Sequence, residues 1–335
     1  MGDGCHWTLG LSLLETTLTA SLGIDYPIIG GAMYPCSNPE LVAAVSESGG
    51  IGVLQPLTLV HVHGLDFREG VRRIKSLTDK PIGMNVLTEK SAAKYLERMS
   101  EWLDIALEEG IRFFVSSLGD PRWIVDRVTP AGGLVYHDVT ERKWAQKAAD
   151  AGVDGLIAVN GRAGGHTGSR SPEELLAEIA DFELPVVCAG GVGDADSFRR
   201  ALELGYVGVQ MGTRLIATEE CTSPEEYKKA IVAAGEADIV ATTRITGVPV
   251  SVIRTPHVEQ IGTEAGPIAR RLLAHPRTKH WMRGIYMFRF GLRLKNNMEH
   301  GMSHRDYYLA GKSVEGVEKI ESVEAIVKRF VDASI

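Results

Sequence analysis

Cysteine is scarce in this 335-residue chain: Cys5, Cys36, Cys188 and Cys221 are the only four, and no two stand in Cys-x-x-Cys spacing. That excludes a zinc ribbon and a disulfide framework, and it makes a reducing compartment the expected home. No stretch reaches the roughly 18 apolar residues that span a bilayer. Residues 1–22 also lack a basic region followed by an apolar run, so neither a transmembrane segment nor a secretory leader is expected and the protein reads as cytoplasmic. A cationic excess is missing too. Lys and Arg number 36 against 43 Asp and Glu, a net charge of -7, whereas nucleic-acid binding by counterion release needs the opposite balance. With 44% hydrophobic and 24% charged residues the composition excludes disorder and collagen-like repeats. A chain of this length buries a sizeable core without staples.

What is present is a repeated unit: a short apolar, β-prone run, a Gly-rich or polar turn, then an amphipathic stretch. The runs fall at 27–30, 51–54, 82–86, 113–116, 133–136, 155–159, 185–189 and 207–211. Parallel strands joined by helices give this rhythm, and eight of them close a barrel. Helices are expected at 39–48, 65–77, 92–109, 140–151 and 196–204, with another opening at Ser171. Ser171, with Pro172 at the first helical position and Glu174 three residues after the cap, carries start signals; Gly49, Gly110, Gly152 and Gly205 stand where helices stop. The fold class is therefore α/β: a (β/α)8 TIM barrel over 1–221, a mainly helical cap over 222–309, and a segment 310–335 that returns to the barrel. Within that segment 318–335 reads as one amphipathic helix, with Ile320, Val323, Ile326, Val327, Phe330 and Val331 on its apolar side.

In such barrels function sits on the loops after the strands. Here they are rich in glycine. Gly190-Gly191 and Gly212-Thr213 follow adjacent strands, where small residues let backbone N–H groups converge on a phosphate. His166 stands inside Gly164-Gly165-His166-Thr167-Gly168, a loop open enough for a flat ligand to approach while the imidazole gives or takes a proton. His137, at the end of the fifth strand, points to the same face, as a ligand contact or as a hydrogen-bonded rim residue. His61-x-His63 has metal spacing for a strand but no acidic or thiol neighbour in sequence, so a surface loop is expected and no metal. The basic, aromatic stretch 270–295 reads as a cap helix with one solvated face; a dock for an acidic carrier protein, a CoA phosphate or an anionic membrane surface is the alternative.

Pro27-Ile28-Ile29-Gly30-Gly31-Ala32-Met33, Lys80-Pro81-Ile82-Gly83-Met84-Asn85, Ala163-Gly164-Gly165-His166-Thr167-Gly168, Ala189-Gly190-Gly191 and Gln210-Met211-Gly212-Thr213-Arg214 occur in order. Together they resemble the successive signatures of the nitronate monooxygenase (2-nitropropane dioxygenase-like) family of FMN barrels, and Ala310-Gly311-Lys312-Ser313 is similar to that family's C-terminal segment. The resemblance implies FMN across the strand ends. It implies Ala32, Met33 and Asn85 near the ring, His137 and Asn160 at the ring or ribityl chain, Gly164 and Gly165 beneath it, and Gly190, Gly191, Gly212 and Thr213 on the phosphate. His166 takes the place of the family's catalytic His. Two residues depart from the pattern: Arg162 where many relatives have Glu, and Lys312 where they have Gln.

Two reactions are expected from that scaffold. The first is oxidation of an alkyl nitronate by O2 to a carbonyl compound and nitrite, with His166 as base for neutral nitroalkanes. The second is NAD(P)H-dependent reduction of an enoyl-ACP, enoyl-CoA or quinone substrate, for which an acidic carrier protein is a partner. A binding protein without activity is the third, disfavoured by the whole series of strand-end glycines with His166. Pairing into a homodimer is expected only on general frequency.

Overall fold

The computed structural model describes residues 13–88, 93–275 and 307–334, together with 278, 282, 284–286, 288, 289, 291, 292 and 296. Its strands are β1 (Ile28–Gly30), β2 (Ile51–Leu54), β3 (Ile82–Leu87), β4 (Phe113–Ser117), β5 (Leu134–Val139), β6 (Gly155–Val159), β7 (Gly165–His166), β8 (Val186–Ala189), β9 (Gly208–Met211), β10 (Ile239–Thr242) and β11 (Val250–Ile253). Eight of them close a barrel in the order β1-β2-β3-β4-β5-β6-β8-β9. The ring shuts where Ile29 of β1 pairs in parallel with Gln210 of β9.

These strands are continuous apolar runs because both faces are covered. Alternate residues turn inward: Ile29, Ile51, Val53, Phe113, Val115, Tyr136, Ile157 and Val187 form the barrel interior. Their neighbours, among them Met84, Phe114, Val135, Leu156 and Val209, pack against the helices outside. Leu18, fully buried on the helix Thr17–Leu22, closes the N-terminal end of the interior. The helices stop as their sequences require, with Gly49, Gly110, Gly152 and Gly205 all at positive φ. The C-terminal helix Val323–Asp332 packs between the helices Pro39–Glu47 and Ala195–Glu203. Phe330 stacks on Phe198 with ring centroids 5.5 Å apart, so the last segment takes the place of an eighth barrel helix.

Several features differ from the sequence expectation. A helix Arg122–Val128, not among those expected from the sequence, lies between β4 and β5. His61 and His63, expected on a surface loop, sit in and just after a π-helical turn, Thr58–Val62. The segment beyond residue 221, expected to be mainly helical, contains the antiparallel pair β10 and β11, and β11 also pairs with β7 to give a three-stranded sheet. Of the stretch 270–295, Arg277, Lys279, Trp281, Arg283, Met287, Phe290, Arg293 and Lys295 lie outside the described residues, as does Cys5. Among the described residues, no helix is long and apolar enough to cross a membrane.

Candidate active site

The two-residue period of the barrel strands decides what meets the cavity at their C-terminal ends. One step beyond the apolar interior, the inward positions become polar: Gln55 after β2, Asn85 on β3, Ser117 on β4, Asp138 on β5 and Gln210 on β9 all line a cavity of about 1100 Å³. Asn85 Nδ2 donates to Val115 O and to Ser117 Oγ, each at 3.2 Å. Ser117 Oγ in turn donates to Asp138 Oδ2 at 2.6 Å. Asp138 Oδ1 and Gln210 Oε1 are buried and have no hydrogen-bond partner among the described residues. Burial pushes the Asp138 carboxyl up to about 6, against the opposing hydrogen bond from Ser117.

His137 also lines the cavity, but its strand neighbours Tyr136 and Asp138 face inward, so its ring lies on the other face of β5. There Nδ1 meets Ser116 Oγ at 2.7 Å, and burial lowers the imidazole to about 4. It is therefore neutral at physiological pH.

The glycine-rich ends meet on one side of this floor. Gly164, Gly165, Gly190, Gly191, Gly212 and Thr213 all line the cavity, as do Ala32 and Met33 after β1, beside Gly212. The backbones approach too closely for side chains. Gly190 has φ +116°, and a Cβ there would lie 2.5 Å from Ala163 N. A Cβ on Gly164 would lie 2.9 Å from Gly311 N, and Gly311 N donates to Thr213 Oγ1 at 2.9 Å. Such a cradle suits an anion held by backbone dipoles.

Asn160 is placed differently from the rest. It is fully buried and does not line the cavity. Its Nδ2 donates to Gly190 O at 3.0 Å and its Oδ1 accepts from Arg162 N at 2.8 Å. The side chain is spent on holding the loops after β6 and β8 together.

His166 lines the cavity from β7, where it pairs with Val250 of β11. Its backbone thus belongs to the small sheet above the barrel rather than to the barrel itself. Arg162 forms a two-pronged ion pair with Glu236, and Lys312 reaches the same carboxylate. Both departures from the family pattern therefore converge on one acid, which sequence reasoning missed because it lies in another segment. Around the mouth, Leu118, Trp144, Phe288 and Leu292 line the cavity yet remain exposed. Leu118 holds φ +64°, and its carbonyl accepts a hydrogen bond from Thr88 Oγ1. Ser117, Asp138 and this collar were also absent from the sequence reading, and Gln210 stood in it only as part of a motif; the alternation along β4, β5 and β9 is the signal that points to Ser117, Asp138 and Gln210.

The chain matches the family model for nitronate monooxygenase over residues 15–333. It is 32% identical over 297 residues to (3aS,4S,5R,7aS)-5-hydroxy-7a-methyl-1-oxo-octahydro-1H-indene-4-carboxyl-CoA dehydrogenase of Mycobacterium tuberculosis, covering 85% of this chain and 80% of that one. A probable nitronate monooxygenase of Staphylococcus saprophyticus is 27% identical over 278 residues, 70% of this chain and 78% of the other. Among solved structures, FabK from Thermotoga maritima superposes with a TM-score of 0.77 at 26% identity, over 96% of each chain. The fold, the ordered glycine motifs and these matches agree: the chain is an oxidoreductase that belongs to the nitronate monooxygenase family.

Proposed function

We propose that the protein is an FMN-dependent oxidoreductase that acts at a carbon made acidic by a neighbouring CoA thioester, on a substrate with a bulky apolar body. The observation that carries this reading is the cavity itself: about 1100 Å³, above the roughly 300–1,000 Å³ of a single-ligand pocket, with a polar floor and an apolar mouth. A small nitronate would leave most of the mouth unfilled. The relative from Mycobacterium tuberculosis is named for a carboxyl-CoA on a fused ring system, which supports the same substrate class. On these grounds the thioester reaction moves ahead of nitronate oxidation, the first expectation from sequence.

The residues fit the cofactor. Gly190, Gly191, Gly212 and Thr213 form a cradle that only backbone and small side chains can line, suited to a phosphate monoester. Asn85, Asp138 and Gln210 supply polar groups to the floor where a heteroaromatic ring needs partners. Bound FMN would supply the two-electron chemistry. The chain supplies the rest. His166, at the cavity wall, takes the proton from the carbon next to the thioester carbonyl, or returns it in the reverse direction. The collar of Leu118, Trp144, Phe288 and Leu292 holds the apolar body and excludes water from the reacting carbon.

Nitronate oxidation is the second reading, favoured by the family and by the staphylococcal relative. The two share an acidic carbon beside an electron-withdrawing group. Anaerobic mixing of the flavin-loaded protein with cyclohexanecarboxyl-CoA, propionate 3-nitronate, NADH or NADPH in separate runs decides between them. Loss of flavin absorbance with the thioester supports the proposal. Loss with nitronate alone supports the second reading, and loss with a nicotinamide alone makes the protein a reductase. Loaded flavin that none of them reduces would remove both proposed donor reactions.

A further inference from the structure

We propose that Asp138 is a redox-linked proton site of the cavity, ionised while the bound flavin is oxidised and protonated once it is reduced. This rests on FMN occupying the cavity, as proposed above, but not on which substrate reduces it.

Asp138 is placed by the strand register, not by a flexible loop. On β5 it follows the inward-facing Tyr136 by two residues, and His137 between them lies on the opposite face. It lines the cavity. Its carboxylate is half satisfied: Ser117 Oγ donates to Oδ2 at 2.6 Å, while Oδ1 is shut away without a donor among the described residues. A buried carboxylate with one unpartnered oxygen is held close to the balance between charged and neutral forms. The groups about it do not fix that balance. Ser117 on the neighbouring β4, Asn85 one strand further on β3 and Gln210 across the barrel are uncharged. Lys147 and Asp120 act on His137, on the outer face of β5, and His166 stands at the cavity wall on β7. No cation forms an ion pair with Asp138 among the described residues.

Two electrons added to a ring in this cavity place negative charge near the carboxylate, where the low dielectric strengthens the repulsion. The carboxylate answers by binding one proton from water, in addition to any proton the ring itself takes. The electrons come from the reducing substrate, or in the test from an electrode. By linkage, an ionised Asp138 disfavours reduction and its protonation removes that penalty. The oxidised cofactor is thereby favoured at high pH more than the ring alone would allow.

The test is a spectroelectrochemical titration of the FMN-loaded protein between pH 5 and pH 8. Asp138→Asn should raise the midpoint potential at pH 8 and flatten its dependence on pH, while Asp138→Glu keeps the wild-type slope. Ser117→Ala, which removes the one hydrogen bond favouring the charged form, should move the change of slope to higher pH; it is the second measure if the Asn variant does not fold. Curves of Asp138→Asn and Ser117→Ala that coincide with wild type, with FMN still bound, overturn the proposal. Failure of the folded wild-type protein to bind FMN overturns the cofactor reading, and this inference with it.

Discussion

Arg162 and Lys312 share a single carboxylate. Glu236 Oε2 lies 2.8 Å from Arg162 Nη2, and Glu236 Oε1 lies 3.1 Å from Lys312 Nζ. Lys312 N also donates to Arg162 O at 2.9 Å. The cluster pins the turn Glu236–Asp238 to the loop after β6 and to the segment that follows Gly311. A Cβ on Gly191 would lie 2.6 Å from Arg162 Nε, so the guanidinium stem walls the glycine cradle proposed above to hold the phosphate.

From this contact, Arg162→Ala should loosen FMN. The substitution removes both the wall and a positive charge, and the two losses act in the same direction on an anion. Each group is about one-third exposed, so the effect is modest: about 0.5–1 kcal/mol, a two- to fivefold rise in Kd. Flavin fluorescence during dilution measures it, and the difference should shrink in high salt. An unchanged Kd would show that Arg162 serves only the cap.

Gly190→Ala should have a larger effect. The residue sits at φ +116°, which side-chain-bearing residues rarely adopt, and the new methyl would lie 2.5 Å from Ala163 N and 2.7 Å from Asn160 Oδ1. Backbone strain of this kind costs roughly 1–3 kcal/mol, and relief would push the loops after β6 and β8 apart. Colourless protein that retains most of its thermal stability is the expected outcome. A variant that purifies with full flavin content would refute the assignment of this cradle.

The parts of this site that local chemistry writes were legible in the sequence. Helix stops at Gly49 and Gly152, the cap at Ser171 and the apolar runs of the strands are each set within a few residues, so the barrel could be counted. The inward-facing acids and amides were not. In a strand as short as β5, sequence shows the alternation of His137 and Asp138 but not which of them faces the centre. That depends on how β5 registers against β4 and β6, a non-local fact. The same limit hid Glu236 from Arg162, and the pairing of Gly165 and His166 with β11. The role of Arg214 was hidden in the same way: it stands in a recognisable motif, yet its side chain turns away from the cavity.

Arg214 is 1% exposed and donates to Glu321 Oε1 at 2.5 Å. Arg329 holds both oxygens of the same carboxylate, at 2.7 and 2.9 Å. Its hydrogen bonds are the chief reason why the Glu321 carboxyl is held down to about 2. Glu321→Gln leaves the Arg214 charge buried with weaker compensation and should cost about 3–5 kcal/mol. Because the folded-state value lies below that of an unfolded glutamate, the contribution is complete above about pH 4.3 and disappears as the pH falls toward 2. Melting curves of wild type and variant should therefore be far apart at pH 7 and converge near pH 2. A constant gap over that range would show that packing, not charge, ties the C-terminal helix to the barrel.

Leu118 gives the most direct test of the apolar mouth. It is 47% exposed and lines the cavity while holding φ +64°, a conformation that costs a branched apolar residue about 1–2 kcal/mol. Solvent exposure and backbone strain at one leucine are both unfavourable to the empty protein, and a ligand that covers the side chain offsets them. Asparagine tolerates the left-handed region and adds no bulk, so Leu118→Asn should melt at or above the wild-type temperature. It should also lose apolar contact worth about 1 kcal/mol, roughly half of a fully buried leucine. The Michaelis constant for an alicyclic or long acyl-CoA should then rise about fivefold with kcat unchanged, while acetyl-CoA, too short to reach the collar, binds equally to both proteins. An equal loss for short and long thioesters would place Leu118 outside the substrate's path.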